Sequence, residues 1–106
     1  MYTILITGAG TGIGKATAQL LSKNQNHRII LVGRRLKKLE EVVLTLDNSS
    51  NHIIASVDVS DKNSLVNFLN SEKADLSNHP LVNVFANAGI GGPNFWGEND
   101  KWQKIL

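Results

Sequence analysis

The sequence predicts an α/β fold built on a doubly wound parallel sheet. Four short apolar runs rich in β-branched residues alternate with three longer stretches in which apolar residues recur at helical spacing. The apolar runs are almost uninterrupted, which is typical of strands buried on both faces of a parallel sheet and joined by right-handed helical crossovers. The length of 106 residues and the hydrophobic content of 42% fit one domain over 1–106.

The first half of the chain predicts two strand–helix units. Tyr2 to Thr7 forms the first strand, and we expect the next helix to bury one apolar face, made of Ile13, Ala16, Leu20 and Leu21. Arg28 to Gly33 forms the second strand. Apolar residues at spacings of three, four and three then indicate a second helix through Leu36, Leu39, Val43 and Leu46.

The second half predicts a third unit and a fourth strand. His52 to Val59 forms the third strand, and Ser60 or Asp61 is the expected N-cap of the next helix. The apolar face of that helix is marked by Leu65, Phe68 and Leu69. Leu81 to Gly89 forms the fourth strand. A loop rich in glycine and aromatic residues then leads into the first turns of another helix, so we expect a sheet truncated after its fourth strand.

Composition argues against several classes of function. Eleven Lys and Arg against nine Asp and Glu give a net charge of +2, too weak to indicate a nucleic-acid or membrane partner. The absence of cysteine excludes disulfides and thiolate metal sites. The three histidines lack local carboxylate partners, so we expect surface or loop roles for them and no metal site. With no signal segment at Met1, a cytoplasmic location is the expectation.

A cluster of glycines lies between the first strand and the first helix: Gly8, Gly10, Gly12 and Gly14. This is where an α/β sheet places a phosphate against a helix N-terminus. The familiar G-x-G-x-x-G spacing would need glycine at Ile13, and a Walker-type loop would need Ser or Thr at Ala16. The usable pattern is therefore T-G-x-x-x-G-x-G.

Four motifs in order make the sequence resemble the short-chain dehydrogenase/reductase family. They are TGAGTGIG at 7–14, GRR at 33–35, DVS at 58–60 and NAG at 87–89. The resemblance covers the whole chain. It implies a Rossmann-type sheet with strand order 3-2-1-4 and a nicotinamide dinucleotide as the ligand.

The resemblance also implies a role for each motif. Gly8 permits a tight exit from the strand, Gly12 lets the pyrophosphate approach, and Gly14 lets the helix pack against the sheet. Backbone N–H contacts would come from Thr11 and Ile13, and Gly10 is a further expected cofactor-binding residue. The Asp58 carboxylate and the Val59 backbone would contact the adenine; the alternative for Asp58 is a strand-end residue or helix cap. The backbone beside the cofactor ribose would be that of Asn87, Ala88 and Gly89, with Asn87 also able to hold neighbouring strands.

The end of the second strand favours NADP(H) over NAD(H). NAD-using relatives place an acidic residue where this chain has Gly33, because a carboxylate binds the ribose 2′-OH and repels a 2′-phosphate. Arg34 and Arg35 follow instead, and a guanidinium suits bidentate pairing with phosphate. The alternative for Arg35, Lys37 and Lys38 is an ordinary solvated helix face, which is what we expect for the two lysines.

The catalytic residues that the resemblance implies are not in the sequence. The family uses a Ser and a Tyr-x-x-x-Lys pair, in which the lysine lowers the pKa of the phenol. Here the only tyrosine is Tyr2, and no Tyr-x-x-x-Lys occurs. Two classes of function stay open: the cofactor-binding portion of an oxidoreductase, or a stand-alone nucleotide-binding or scaffold module without chemistry of its own.

The fourth strand predicts self-association. With strand order 3-2-1-4, Leu81 to Ala86 forms a sheet edge that a fifth strand would otherwise cover. An apolar edge with unpaired backbone groups favours pairing with another chain. One departure from the family lies here, because Val82 stands where an Asp is common.

Overall fold

The computed structural model describes residues 1–10 and 12–86, and it confirms the predicted α/β architecture. The elements in chain order are β1 (Tyr2–Thr7), α1 (Gly12–Leu21), β2 (His27–Gly33), α2 (Leu36–Val43), β3 (Ile53–Ser56), α3 (Lys62–Leu69) and β4 (Leu81–Ala86). A 3₁₀ turn at Ser49–Asn51 precedes β3. The strands are all parallel and lie in the order β3-β2-β1-β4, as expected for a Rossmann-type sheet.

The sheet carries a separate apolar core on each face. Successive side chains of a strand point to opposite faces, so Ile4 and Ile6 join the cluster with α1 and α2 while Leu5 joins the cluster with α3. The side chains of β2 divide in the same way, and its four central residues are fully buried. This two-sided burial is the reason that β1 and β2 are continuous apolar runs.

The strand order creates a crevice at the carboxyl end of β1. The chain leaves β1 for β2 and β3 on one side, then crosses back to β4 on the other side. Crossovers that depart in opposite directions leave space between them beyond the carboxyl ends of the strands, where open α/β sheets bind ligands. The glycine loop directly follows β1 and borders this crevice.

The buried face of α1 differs from the prediction. Gly14 and Ala18 are buried, whereas Ile13 is 75% exposed and Leu20 is 67% exposed. The physical reason is close packing at Gly14, where a Cβ would lie 2.1 Å from the Gly8 carbonyl oxygen. The helix therefore turns its smallest residues, one turn apart, toward the sheet.

Smaller differences concern strand length and capping. The third strand is shorter than predicted, since β3 ends at Ser56 and the following residues form a loop. The N-cap of α3 is Asp61 and not Ser60, because its side chain accepts a hydrogen bond from the Ser64 N–H at 3.3 Å. In α2, Leu36 is 51% exposed, and Leu39 and Val42 form the buried face.

His52 lies in the loop before β3, as one of the two expected roles has it, but it is buried and not at the surface. It directly precedes β3, and its Nδ1 accepts a hydrogen bond from the Ile29 N–H at 3.0 Å. That bond requires Nδ1 to be unprotonated, so Nε2 carries the proton and donates to the Asp47 carbonyl at 2.8 Å. The imidazole thus joins β2 to the turn that leads into β3.

At the amino end of the sheet a buried guanidinium ties three segments together. Arg28 of β2 donates from Nε and Nη2 to the Thr3 hydroxyl at 3.1 and 2.8 Å, and also donates to the Ala74 carbonyl. The Thr3 hydroxyl in turn donates to the His79 carbonyl at 2.7 Å. This network fixes the connection between α3 and β4 at the end opposite the crevice.

Within residues 1–10 and 12–86, no helix has both the length and the apolar character of a membrane span.

Candidate functional site

The glycine loop has a backbone that only glycine adopts without strain. Gly8 and Gly12 have φ angles of 62° and 59°, in the left-handed region. At Gly12 the requirement is conformational, because nothing lies within 4 Å of where a Cβ would stand. At Gly14 it is steric, because the Gly8 carbonyl oxygen occupies the place of a side chain. The loop therefore makes a tight turn from β1 and brings α1 close to it.

A cleft of about 300 Å³ opens beside this loop at the carboxyl end of the sheet. It brings together the loop, the end of β2 and the first turn of α2, and it is lined by Gly8, Gly10, Gly33, Arg34, Arg35, Lys38 and Leu39. Four of the residues predicted for cofactor binding are among these: Gly8, Gly10, Arg34 and Arg35. The cleft is therefore where the two separate sequence motifs meet.

The walls of the cleft pack closely where the loop and β2 meet α2. A Cβ on Gly33 would lie 3.2 Å from Leu39 Cδ2, and a Cβ on Gly10 would lie 3.2 Å from Lys38 Cβ. Leu39 is 1% exposed and belongs to the core. The position where NAD-using relatives carry a carboxylate is thus bounded by a packed leucine.

The cleft is lined by three cations: Arg34, Arg35 and Lys38. None of the described residues that line it is acidic. A solvated helix face is the expectation for both Lys37 and Lys38, but Lys38 lines the cleft and Lys37 does not. Both lysines lie in the first turn of α2, so no signal in the sequence separates them.

Asp58 lies in the loop after β3, within electrostatic reach of Arg34. Its Oδ1 accepts hydrogen bonds from the Ser60 hydroxyl at 2.7 Å and the Ser60 N–H at 2.9 Å. These two bonds lower the pKa of the Asp58 carboxyl below its ordinary value, and the nearby Arg34 guanidinium lowers it further. The carboxylate is therefore ionised and oriented by its own turn, while capping of α3 falls to Asp61.

The other predicted site residues have different positions. Ile13 lies in the exposed first turn of α1, and Val59 is 7% exposed in the core beneath α3, where it anchors the loop that carries Asp58. The prediction for Thr11 and that for Asn87, Ala88 and Gly89 lie outside the described residues. In the part of the chain that the structure describes, no group of three His, Cys, Asp or Glu could hold a metal ion.

Comparison with known proteins identifies the family that this chain resembles in sequence. A family model described as short chain dehydrogenase matches residues 2–106. The chain is 38% identical to an uncharacterized oxidoreductase of Listeria monocytogenes over 97% of its own length and 42% of the relative. It is 38% identical to an NADP-dependent 3-hydroxy acid dehydrogenase of Schizosaccharomyces pombe over 83% of its length and 34% of that protein.

Solved structures agree on the fold. The crystal structure of an NAD⁺-bound xylitol dehydrogenase matches 86% of this chain and 34% of that one, with a TM-score of 0.70 and 26% identity. The chain thus spans well under half the length of the proteins it resembles.

Proposed function

The chain belongs to the short chain dehydrogenase family, and from that premise we propose that it is the NADP(H)-binding portion of an oxidoreductase. The adenosine and phosphates of the cofactor would occupy the cleft beside the glycine loop. When bound, NADP(H) supplies or accepts a hydride at its nicotinamide ring. The residues of this chain bind and orient the other end of the molecule, and the transfer itself is proposed for the whole protein, together with its cytoplasmic location.

One observation carries the choice of NADP(H): the cleft at the end of β2 is lined by cations and has a glycine where a carboxylate would select NAD(H). The backbone at Gly33 approaches Leu39 too closely for a side chain to fit without movement. Arg34 and Arg35 follow at the mouth of the same cleft. A phosphate on the ribose would meet guanidinium groups there, whose paired N–H donors match its oxygens.

The pyrophosphate is assigned to the glycine loop. Gly8 and Gly12 both have a left-handed backbone, the space beside Gly12 is open, and Gly12 begins α1. Free N–H groups in the first turn of a helix attract an anion. Asp58 is held in one orientation by Ser60, which supports its assignment to the adenine.

Titration calorimetry of the 106-residue chain with NADPH and NADH tests this proposal. We expect the chain to bind NADPH at least several-fold more tightly than NADH. Arg34→Ala should remove most of that preference by raising the NADPH dissociation constant about tenfold. A charge-assisted bond to phosphate contributes about 1.5 to 3 kcal/mol, and the exposure of Arg34 to solvent places this one at the lower end. Binding of NADH should change little.

Lys37→Ala is the matched control, since it removes one exposed positive charge from α2 outside the cleft. It should leave the preference for NADPH intact. Equal affinity of the wild-type chain for the two cofactors, or a preference for NADH, would overturn the assignment.

A further inference from the structure

Lys38 shares the cleft with the two arginines but differs from them in its place on the chain. It lies on α2, whereas Arg34 and Arg35 belong to the connection between β2 and α2. Its Cβ lies 3.2 Å from the position that a Cβ on Gly10 would occupy. The base of the lysine side chain therefore lies beside the glycine loop, and the residue lines the cleft.

The charges of the cleft are not equally available to a ligand. The Arg34 guanidinium lies near the Asp58 carboxylate and lowers the pKa of that carboxyl, although less than the two Ser60 hydrogen bonds do. Among the described residues, neither Arg35 nor Lys38 forms an ion pair. Lys38 thus brings an unpaired charge to the cleft, on a side chain whose base lies beside Gly10.

We propose that Lys38 is a specificity-determining residue whose ammonium binds the 2′-phosphate of the cofactor. This inference rests on the proposed function. The phosphate carries nearly two negative charges at neutral pH, more than one guanidinium can neutralise. A flexible lysine side chain rooted beside Gly10 would supply a point charge to oxygens that the planar guanidinium groups leave free.

Charge and packing are separated by three variants. Lys38→Met keeps an unbranched stem against Gly10 and removes the charge, Lys38→Arg restores the charge, and Lys37→Met removes a charge from the neighbouring position outside the cleft. Calorimetric titration of each variant uses two pairs of probes: NADPH with NADH, and 2′,5′-ADP with 5′-ADP. Within each pair the ligands differ at the 2′ position, so their ratio reports the 2′-phosphate.

Lys38→Met should raise the dissociation constants of NADPH and 2′,5′-ADP about tenfold. The dissociation constants of NADH and 5′-ADP should change less than twofold. Lys38→Arg should recover most of the loss, and Lys37→Met should match the wild type. The preference of Lys38→Met for 2′,5′-ADP should also depend less on salt concentration, because one partly exposed charge pair is gone.

The outcomes distinguish this inference from the proposed function. If the wild-type chain shows no preference for NADPH, the proposed function and this inference both fail. If Arg34→Ala loses the preference but Lys38→Met behaves like Lys37→Met, only the role of Lys38 is overturned. Equal weakening of 2′,5′-ADP and 5′-ADP by Lys38→Met would place its charge on the pyrophosphate and would also overturn the assignment.

Discussion

At the scale of single residues, Gly12 and Gly14 are required for different physical reasons. Gly12 has a left-handed backbone with open space around it, whereas Gly14 packs against the Gly8 carbonyl in helix α1. The first requirement concerns the backbone energy of one residue. The second concerns the distance between a helix and the strand before it, which sets the depth of the crevice.

This difference predicts an order of stability. Gly12→Ala should lower the free energy of unfolding by about 1 to 2 kcal/mol, the cost of a left-handed conformation for a residue with a Cβ. Gly14→Ala should cost about 3 kcal/mol or more, because a Cβ 2.1 Å from a backbone oxygen forces the helix away from the loop. Urea unfolding of both variants measures the order, and a Gly14→Ala variant as stable as Gly12→Ala would contradict it.

Lys37 and Lys38 show which site residues can be predicted from a sequence and which cannot. Motif spacing identifies Gly8, Gly12 and Arg34 because each motif is a short local pattern. Which of two adjacent lysines lines the cleft depends on how α2 is rotated about its axis against the sheet. That rotation is fixed by Leu39 packing beside Gly33, a contact between separate elements.

At the scale of elements, α1 shows the same limit. Its apolar residues at 13, 16, 20 and 21 predict a buried face by period alone. Of these four, Leu21 packs against the core, and the fully buried residues of the helix are Gly14 and Ala18. Hydrophobic periodicity assumes that large side chains fill the space between helix and sheet. Here the backbones approach too closely for that, so small residues form the contact. The strand order, by contrast, follows from the family resemblance and is confirmed.

His52 predicts a pH-dependent stability, because its imidazole hydrogen-bonds both to β2 and to the turn before β3. Burial lowers the pKa of its imidazole below the usual 6.5, outweighing the bond to the Asp47 carbonyl. Since the unfolded chain then binds a proton more readily than the folded chain, this contribution to stability is complete above pH 6.5 and declines as the pH falls below it. Protonated Nδ1 could no longer accept from the Ile29 N–H.

Urea unfolding at pH 7.5, 6.0 and 5.0 measures this effect. We expect the unfolding midpoint of the wild-type chain to fall over this interval, and the fall to be smaller in His52→Gln, which cannot titrate. The variant should also be less stable at pH 7.5, by about 1 to 3 kcal/mol, because the Ile29 N–H is left without its imidazole partner. Identical slopes with pH for the two proteins would show that His52 does not carry the dependence.

At the scale of the whole molecule, the two ends of the sheet are built differently. The amino end is closed by the buried Arg28, whose guanidinium binds Thr3 and the Ala74 carbonyl. The carboxyl end is open and lined by cations. Burial of Arg28 lowers its pKa, while nearby Asp75 opposes that shift. A hydrogen-bonded amino end and an exposed charged cleft at the carboxyl end suit a domain that presents a binding site.

The side of the sheet at β4 predicts self-association. In the part of the chain that the structure describes, β4 pairs only with β1, and Val82 is 53% exposed near the register shift between Thr3 and Ile4. Asn83 Oδ1 accepts from the Val84 N–H at 2.9 Å, which satisfies one backbone donor locally. Among residues 1–10 and 12–86 no strand pairs with the other edge of β4, and edges of this kind pair with other chains.

Light scattering after size exclusion should therefore show the 106-residue chain as a dimer or larger assembly whose mass rises with concentration. Val82→Lys should shift it toward the monomer, because a charge on an edge strand opposes strand pairing. Leu44→Lys is the matched control: it replaces an apolar side chain that is 79% exposed, away from β4. A wild-type chain that is monomeric at all concentrations would contradict pairing through β4. Equal dissociation in the two lysine variants would also contradict it, because general surface hydrophobicity would then account for the assembly.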